Sequence, residues 1–320
     1  MNSHTGCRRA VLGLVLALGA ACAIAQGASC PPAPMMPGPE QIQAAQRGAR
    51  DHGFLWRISK DGRTSYLYGT LHVGKLDWAF PGPLLRQALA RVDALAVEVD
   101  LTDPAVAQAM AATAAQANTP PAALQQRLRR QIAAACLGEA TLAALHPLMQ
   151  AITLTVLAAR WEGLDAGYAQ EIVLGLAARA KPIPIVALET AQAQLALLLP
   201  DDATEQLHLL EQMLDQLEQG RVRPVMRRLA AVWAEGRIGE LEDYAQWCDC
   251  ADTPQDRAFL ARLNDARNVP MAERIDALHR AGQRLLVAVG ALHMTGAQGL
   301  PRLLAARGYR VERLLPPASP

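Results

Sequence analysis

Two histidines stand at the same offset from a glycine in two similar stretches of the chain, Gly69-Thr70-Leu71-His72 and Gly290-Ala291-Leu292-His293. Each stretch follows an apolar, strand-like run and precedes an amphipathic helical pattern (83–92 and 299–307) and then a second strand-like run (94–99 and 309–314). A unit of strand, Gly-x-x-His, helix and strand therefore occurs twice. In each copy the glycine closes a strand where the backbone must turn, and the histidine is carried into the loop beyond it. If the two units pair about a pseudo-twofold, His72 and His293 meet at one mouth. Glu98, at the end of the first unit's second strand, is the acid placed to join them. Two neutral imidazoles and one carboxylate suit a divalent ion that keeps positions open for water or substrate.

Each of these residues has a plainer reading. A histidine in an apolar stretch is more often a hydrogen-bonded core residue, and gene duplication could preserve both for structural reasons. Glu98 lies in the apolar run Ala94-Leu95-Ala96-Val97-Glu98-Val99, where a buried carboxylate needs a partner to offset desolvation, and an arginine would serve. His52, His146, His208 and His279 lack the strand-glycine context and are expected to be surface or core residues.

The elements that must position these groups read as an α+β (α/β-like) domain. A central mixed β-sheet is flanked by helices, built on the duplicated unit and carrying a large helical insertion. Phe54–Ile58 and Thr64–Tyr68 flank the turn sequence Lys60-Asp61-Gly62-Arg63, which predicts a hairpin. Residues 103–180 are almost wholly helical in pattern and read as an insertion or lid. A strand is expected over Pro182–Leu188, helices to Leu199, from Asp202 to Tyr244 with breaks at Gly220 and Pro224, after Thr253-Pro254, and over Pro270–Ala281. A strand is expected at Arg284–Val289. Strands at both ends of the chain must meet to close one sheet, so one domain over 51–316 fits better than two.

Composition sets the outer bounds. The chain is 51% hydrophobic and 19% charged with a formal net charge of +1, which suits an ordinary folded protein and supplies no field for nucleic acid or an anionic membrane. Residues 1–25 carry Arg8 and Arg9, an apolar run and Ala23-Ile24-Ala25, the pattern of a secretory signal peptide cleaved before Gln26. Cys22 has Gly19 where a lipobox needs a large aliphatic residue, which disfavours lipidation. No second apolar run reaches the length of a membrane span, so a periplasmic or secreted location is expected. Residues 26–50, with Pro31-Pro32-Ala33-Pro34, read as an extended, flexible leader. Cys30, Cys136, Cys248 and Cys250 remain for one or two disulfides; bridges from Cys248 and Cys250 to distant partners (Cys30 or Cys136) suit loop-rich surface segments, but sequence does not choose among the three connectivities. There is no Gly-x-Ser-x-Gly, His-Glu-x-x-His, Gly-x-x-x-x-Gly-Lys-Ser/Thr, Gly-x-Gly-x-x-Gly or Cys-x-x-Cys. Nucleophile-elbow hydrolases, zincins, P-loop NTPases, dinucleotide enzymes and thiol oxidoreductases are thereby set aside.

The two Gly-x-x-His motifs with Glu98 between them resemble the TraB/PrgY/GumN family, related to the Tiki metalloproteases, and most closely its secreted GumN-like branch. Gly163-Leu164-Asp165, Leu188-Glu189-Thr190 with Gln194, Arg267-Asn268 with Met271, and Gly296 to Leu300 with Gly308-Tyr309 add to the likeness, which extends from about Phe54 to Leu314. The resemblance implies a metal-dependent hydrolase with His72, Glu98 and His293 at its reactive centre and a peptide as substrate. Glu98 could be ligand or general base. Arg267 could stabilise an oxyanion or anchor Glu98 or Glu189 in an ion pair, the latter being favoured. Asp165 and Glu189 stand between support of the site and helix capping. The alternative is a non-catalytic protein that binds a peptide or saccharide, with an accessory role in exopolysaccharide production resting on the GumN name alone.

Overall fold

The structure is a computed structural model that describes residues 30–316 apart from 35, 102, 116 and 182. The predicted signal peptide lies outside the described residues. Among the described residues six strands form one sheet: β1 (Phe54–Lys60), β2 (Arg63–Thr70), β3 (Ala94–Val97), β4 (Ile185–Ala187), β5 (Leu285–Gly290) and β6 (Arg310–Leu314), in the order β4-β3-β5-β2-β1-β6. β1 runs antiparallel to both its neighbours; β2, β5, β3 and β4 are mutually parallel. The expected mixed sheet in an α+β fold is therefore present. The hairpin turns at Asp61-Gly62, both with positive φ, as a two-residue turn between twisted strands requires.

Helices α1 (Pro39–Arg47), α2 (Pro83–Leu89), α3 (Pro104–Ala115), α4 (Ala122–Ala134), α5 (Pro147–Ala158) and α6 (Gln170–Ala180) occupy the first half. The second half has α7 (Ala191–Leu198), α8 (Ala203–Glu218), α9 (Val222–Ala234), α10 (Ile238–Glu242), α11 (Tyr244–Trp247), α12 (Pro254–Leu263), α13 (Asp265–Arg280) and α14 (Leu300–Ala306). Among the described residues no helix is long and apolar enough to cross a membrane.

Two apolar cores divide the work. The larger lies around the sheet: β5 contributes Leu285, Leu286, Val287, Ala288 and Val289, all fully buried, as expected of a parallel strand covered on both faces. The smaller is all-helical and joins Leu128 and Ile132 of α4, Leu148 and Leu154 of α5, Leu195 of α7 and Leu210 and Leu214 of α8. The helical layer thus differs from the expected insertion of 103–180. It recruits α7 and α8 from beyond residue 180, whereas Leu174 and Ala178 of α6 belong to the sheet core.

Three local expectations are corrected. The leader holds a helix, α1, because Pro39 sits in its first turn, where no intrahelical N–H is needed, and Gln41 reaches back to Gly38 N at 2.9 Å. Pro224 likewise lies in the first turn of α9 and does not interrupt it, while Pro270 lies inside α13, which begins five residues earlier than expected. Finally, the described cysteines pair as Cys30–Cys136 and Cys248–Cys250. The second pair closes on itself because Asp249 between them takes a left-handed conformation (φ 56°) that brings the two Cα atoms to 5.1 Å.

Candidate functional site

β2, β5 and β3 are parallel, with β5 between the other two, so their C-terminal ends lie side by side. His72 follows β2, His293 follows β5 and Glu98 follows β3, which puts all three at one edge of the sheet. Unit one runs from β2 across β5 to β3, and unit two runs from β5 the opposite way to β6. Strand order reverses here, the position at which open α/β sheets bind ligands. The pseudo-twofold is broken by the hairpin: β1 lies between β2 and β6 and displaces β6 by one place.

Glu98 is held from several sides. Its Oε1 accepts the Gly290 N–H at 2.7 Å, and its Oε2 accepts from Gln194 Nε2 at 2.9 Å and from the Arg267 guanidinium. The glycine at 290 serves close approach rather than a left-handed turn, since its φ is −47° and a Cβ there would stand 3.3 Å from Glu98 Oε1. Gly69 is alike: a Cβ would press on Ala291 Cα at 3.1 Å, and its carbonyl accepts from Trp233 Nε1 at 2.7 Å.

Arg267 joins two carboxylates. Its Nε lies 3.1 Å from both oxygens of Glu189, one terminal nitrogen reaches Glu189 Oε2 at 2.5 Å and also Glu98 Oε2, and the other donates to Leu263 O at 3.0 Å. Arg267 thus bridges Glu98 and Glu189 in one ion-pair cluster. Glu189 adds a backbone bond to Glu98 O at 2.9 Å, and the N-cap of α7 is the next residue, Thr190. Asp165 does the reverse. Its side chain caps the short turn 166–168 through Gly167 N at 2.7 Å and pairs with Arg160 at 2.7 Å, while its backbone bridges to Gly74 in the loop that carries His72.

The duplicated histidines occupy unlike surroundings. His293, 4% exposed, sits in a 3-10 turn; its Nδ1 lies 2.7 Å from Asn268 Oδ1 and its Nε2 3.6 Å from Glu98 Oε1. His72 is open, with 70% of its side chain exposed, and its Nδ1 lies 3.2 Å from Glu171 Oε1. Thr70 Oγ1 donates to the same oxygen, and Glu171 Oε2 is buried with no hydrogen-bond partner among the described residues. Glu171 and Thr70 were not foreseen from sequence. The only signal was the missing symmetry, since the second motif has Ala291 where the first has Thr70.

The electrostatics follow from these contacts. Burial works against ionisation of Glu98, but the charges of His293, Arg267 and His72 and the Gly290 N–H hold it down to about 2. Burial pushes the His293 imidazole down to about 4 against the pull of Glu98, so it is neutral near pH 7. The charge and hydrogen bond of Glu171 raise His72 above its ordinary value.

No three His, Cys, Asp or Glu side chains among the described residues are grouped closely enough to hold a metal ion as they stand. The donor chemistry nonetheless suits one at the Glu98–His293 pair, where an imidazole nitrogen and a carboxylate oxygen face each other across 3.6 Å. His72 would join only by leaving Glu171 and losing its proton.

Four other histidines among the described residues lie apart from these three. His146 caps α5 through Leu148 N at 3.2 Å, His279 bonds Ser65 and Lys60 O, His52 stacks beside Trp78 and Trp233, and His208 lies 3.8 Å from Asp256.

Against known families, residues 54–313 match the model of the TraB/PrgY/gumN family. The chain belongs to the TraB/PrgY/gumN family. It is 29% identical over 258 residues to the "Uncharacterized protein YbaP" of Shigella flexneri, covering 76% of this chain and 88% of that protein. No solved structure matches. The family span begins at the first residue of β1 and ends within β6, so it coincides with the sheet that gathers the site.

Proposed function

We propose that this TraB/PrgY/gumN family member is a metal-dependent hydrolase that cleaves peptides outside the cytoplasm, with His72, Glu98 and His293 as its metal-holding and reactive residues. The kinship to the Tiki metalloproteases and the GumN-like branch belongs to the same reading. Its main support is the facing of His293 Nε2 and Glu98 Oε1 across 3.6 Å at the ends of adjacent parallel strands. A divalent ion bound there would polarise a peptide carbonyl and acidify a water molecule.

The chain's own residues prepare that chemistry. With its Oδ1 accepting from Nδ1, Asn268 would fix the imidazole tautomer of His293 and leave Nε2 for the metal, the supporting role usual for a ligating histidine. Gly290 N–H, Gln194 and Arg267 take up the other lone-pair directions of Glu98. What remains of Glu98 points at His293, which favours a ligand over a general base. Glu171 orients His72 at the open side of the site, where substrate would enter.

Purified chain without a histidine tag should hydrolyse a mixed peptide pool, read by mass spectrometry, only when a divalent ion is present, and His293→Ala should abolish cleavage while circular dichroism stays native. Peptide binding that survives chelation and His293→Ala, with no cleavage, would replace the hydrolase by a binding protein.

A further inference from the structure

Beside the site, between the chain that leaves β3 and one face of α6, lies a cleft of about 110 Å³ bordered by Val97, Leu101, Ile172, Gly175, Leu176 and Arg179. Glu171, the partner of His72, closes one end of it, and Val97 immediately precedes Glu98. Leu101, Ile172 and Leu176 are 64%, 41% and 60% exposed, half of the large apolar side chains left in solvent among the described residues. Apolar side chains gathered on an exposed cleft mark a contact surface.

Gly175 shows that the hollow is preserved by composition. It lies in the interior of α6, where glycine costs about 1 kcal/mol against alanine. No left-handed φ requires it, and a Cβ built there would meet nothing within 4 Å. Neither backbone nor packing asks for glycine; a side chain would only fill the cleft.

Arg179 adds a charge. It is exposed, and its guanidinium has no hydrogen-bond or ion-pair partner among the described residues. It lies eight positions beyond Glu171, about 12 Å along α6, the reach of roughly three or four residues of extended peptide. With a water's share of volume near 30 Å³, the cleft takes roughly three or four heavy atoms, which suits Val, Leu or Ile.

Resting on the peptidase reading, we propose that this cleft is the subsite for one aliphatic side chain of an extended peptide substrate, with Arg179 receiving a carboxylate further along the same peptide. The carboxylate is that of an acidic side chain or of the peptide's own C-terminus.

The probes are fluorescein-labelled Ala-Ala-Xaa-Ala-Ala-Glu amides with Xaa Leu or Gly, and the Leu peptide as a free acid with Ala in place of Glu. Binding to the purified chain is read by anisotropy, and cleavage is followed in parallel by mass spectrometry. The Leu peptide should bind of the order of 10–100-fold tighter than the Gly peptide. Gly175→Leu and, separately, the surface change Leu176→Asn should each collapse that ratio, with folding confirmed by circular dichroism. Arg179→Gln should weaken the Glu amide or the free acid, and whichever it weakens identifies the carboxylate. Leu preference without cleavage keeps the subsite and removes the hydrolase. Cleavage with no preference, or with a preference that survives both cleft variants, removes the subsite and keeps the hydrolase. No binding by any probe overturns both, and an Arg179→Gln chain that binds all probes as well as the parent removes the carboxylate contact.

Discussion

Replacing Arg267 with methionine should destabilise the protein more than most single substitutions. The Arg267 side chain is 10% exposed, and it neutralises Glu98 and Glu189, which are 11% and 9% exposed. Methionine fills much of the volume but leaves two buried carboxylates facing each other without a cation. Removing one partner of a buried ion pair costs about 3–5 kcal/mol, a large share of the roughly 5–15 kcal/mol that holds a domain together. Urea unfolding followed by circular dichroism at pH 7 should therefore show a lower midpoint with an unchanged slope. Adding Glu189→Gln to Arg267→Met should recover about 1–3 kcal/mol, because the second change removes one of the stranded charges. A loss below about 1 kcal/mol for Arg267→Met, or no recovery in the double variant, would refute the claim that this arginine holds both acids.

Other outcomes follow from the same physical reasoning. Gly74→Ala should cost about 1–3 kcal/mol in urea unfolding, because its Cβ would lie 2.3 Å from Tyr168 O, whereas Gly175→Ala should stabilise by about 0.5–1 kcal/mol; equal effects would contradict the packing. Cys30→Ser with Cys136→Ser should cost about 2–4 kcal/mol, since that bridge spans 106 residues, while losing Cys248–Cys250, which spans 2, should move the midpoint little. Acid should weaken the fold through Asp276 and Asp256. Burial pushes both carboxyls up, but Tyr309 and Lys60 for Asp276, and Thr253 for Asp256, outweigh it and leave both below the usual value. Their contribution is complete above about pH 4 and is lost as pH falls through the depressed values. Asp276→Asn should flatten the fall in urea midpoint between pH 5 and pH 2, and an unchanged fall would count against it.

The hairpin, the buried strands and both Gly-x-x-His motifs were legible because each is a local pattern: apolar runs of strand length closed by turn residues. The pairing of Glu98 with His293 was also within reach, since a lone acid in Ala94–Val97 and its continuation demands a partner. Glu171 was not legible. It serves His72 because α6 begins where Gln170 N bonds Leu71 O at 3.0 Å, a contact nearly a hundred residues apart in sequence with no local mark. The unequal burial of the two histidines was hidden for a related reason, as only the second motif continues into a 3-10 turn. The leader helix was obscured by its prolines, which read as extended until Pro39 is seen at a helix start. The pairing of Cys248 with Cys250 was one of three connectivities left open by the sequence, and it depends on the left-handed Asp249.

Elemental analysis of the untagged, purified chain by plasma mass spectrometry, beside His293→Ala and Glu98→Gln, tests the central claim most directly. The account predicts an equimolar divalent metal in the parent and its loss in both variants. A parent that hydrolyses peptides while free of metal, or variants that retain the ion in full, would contradict it.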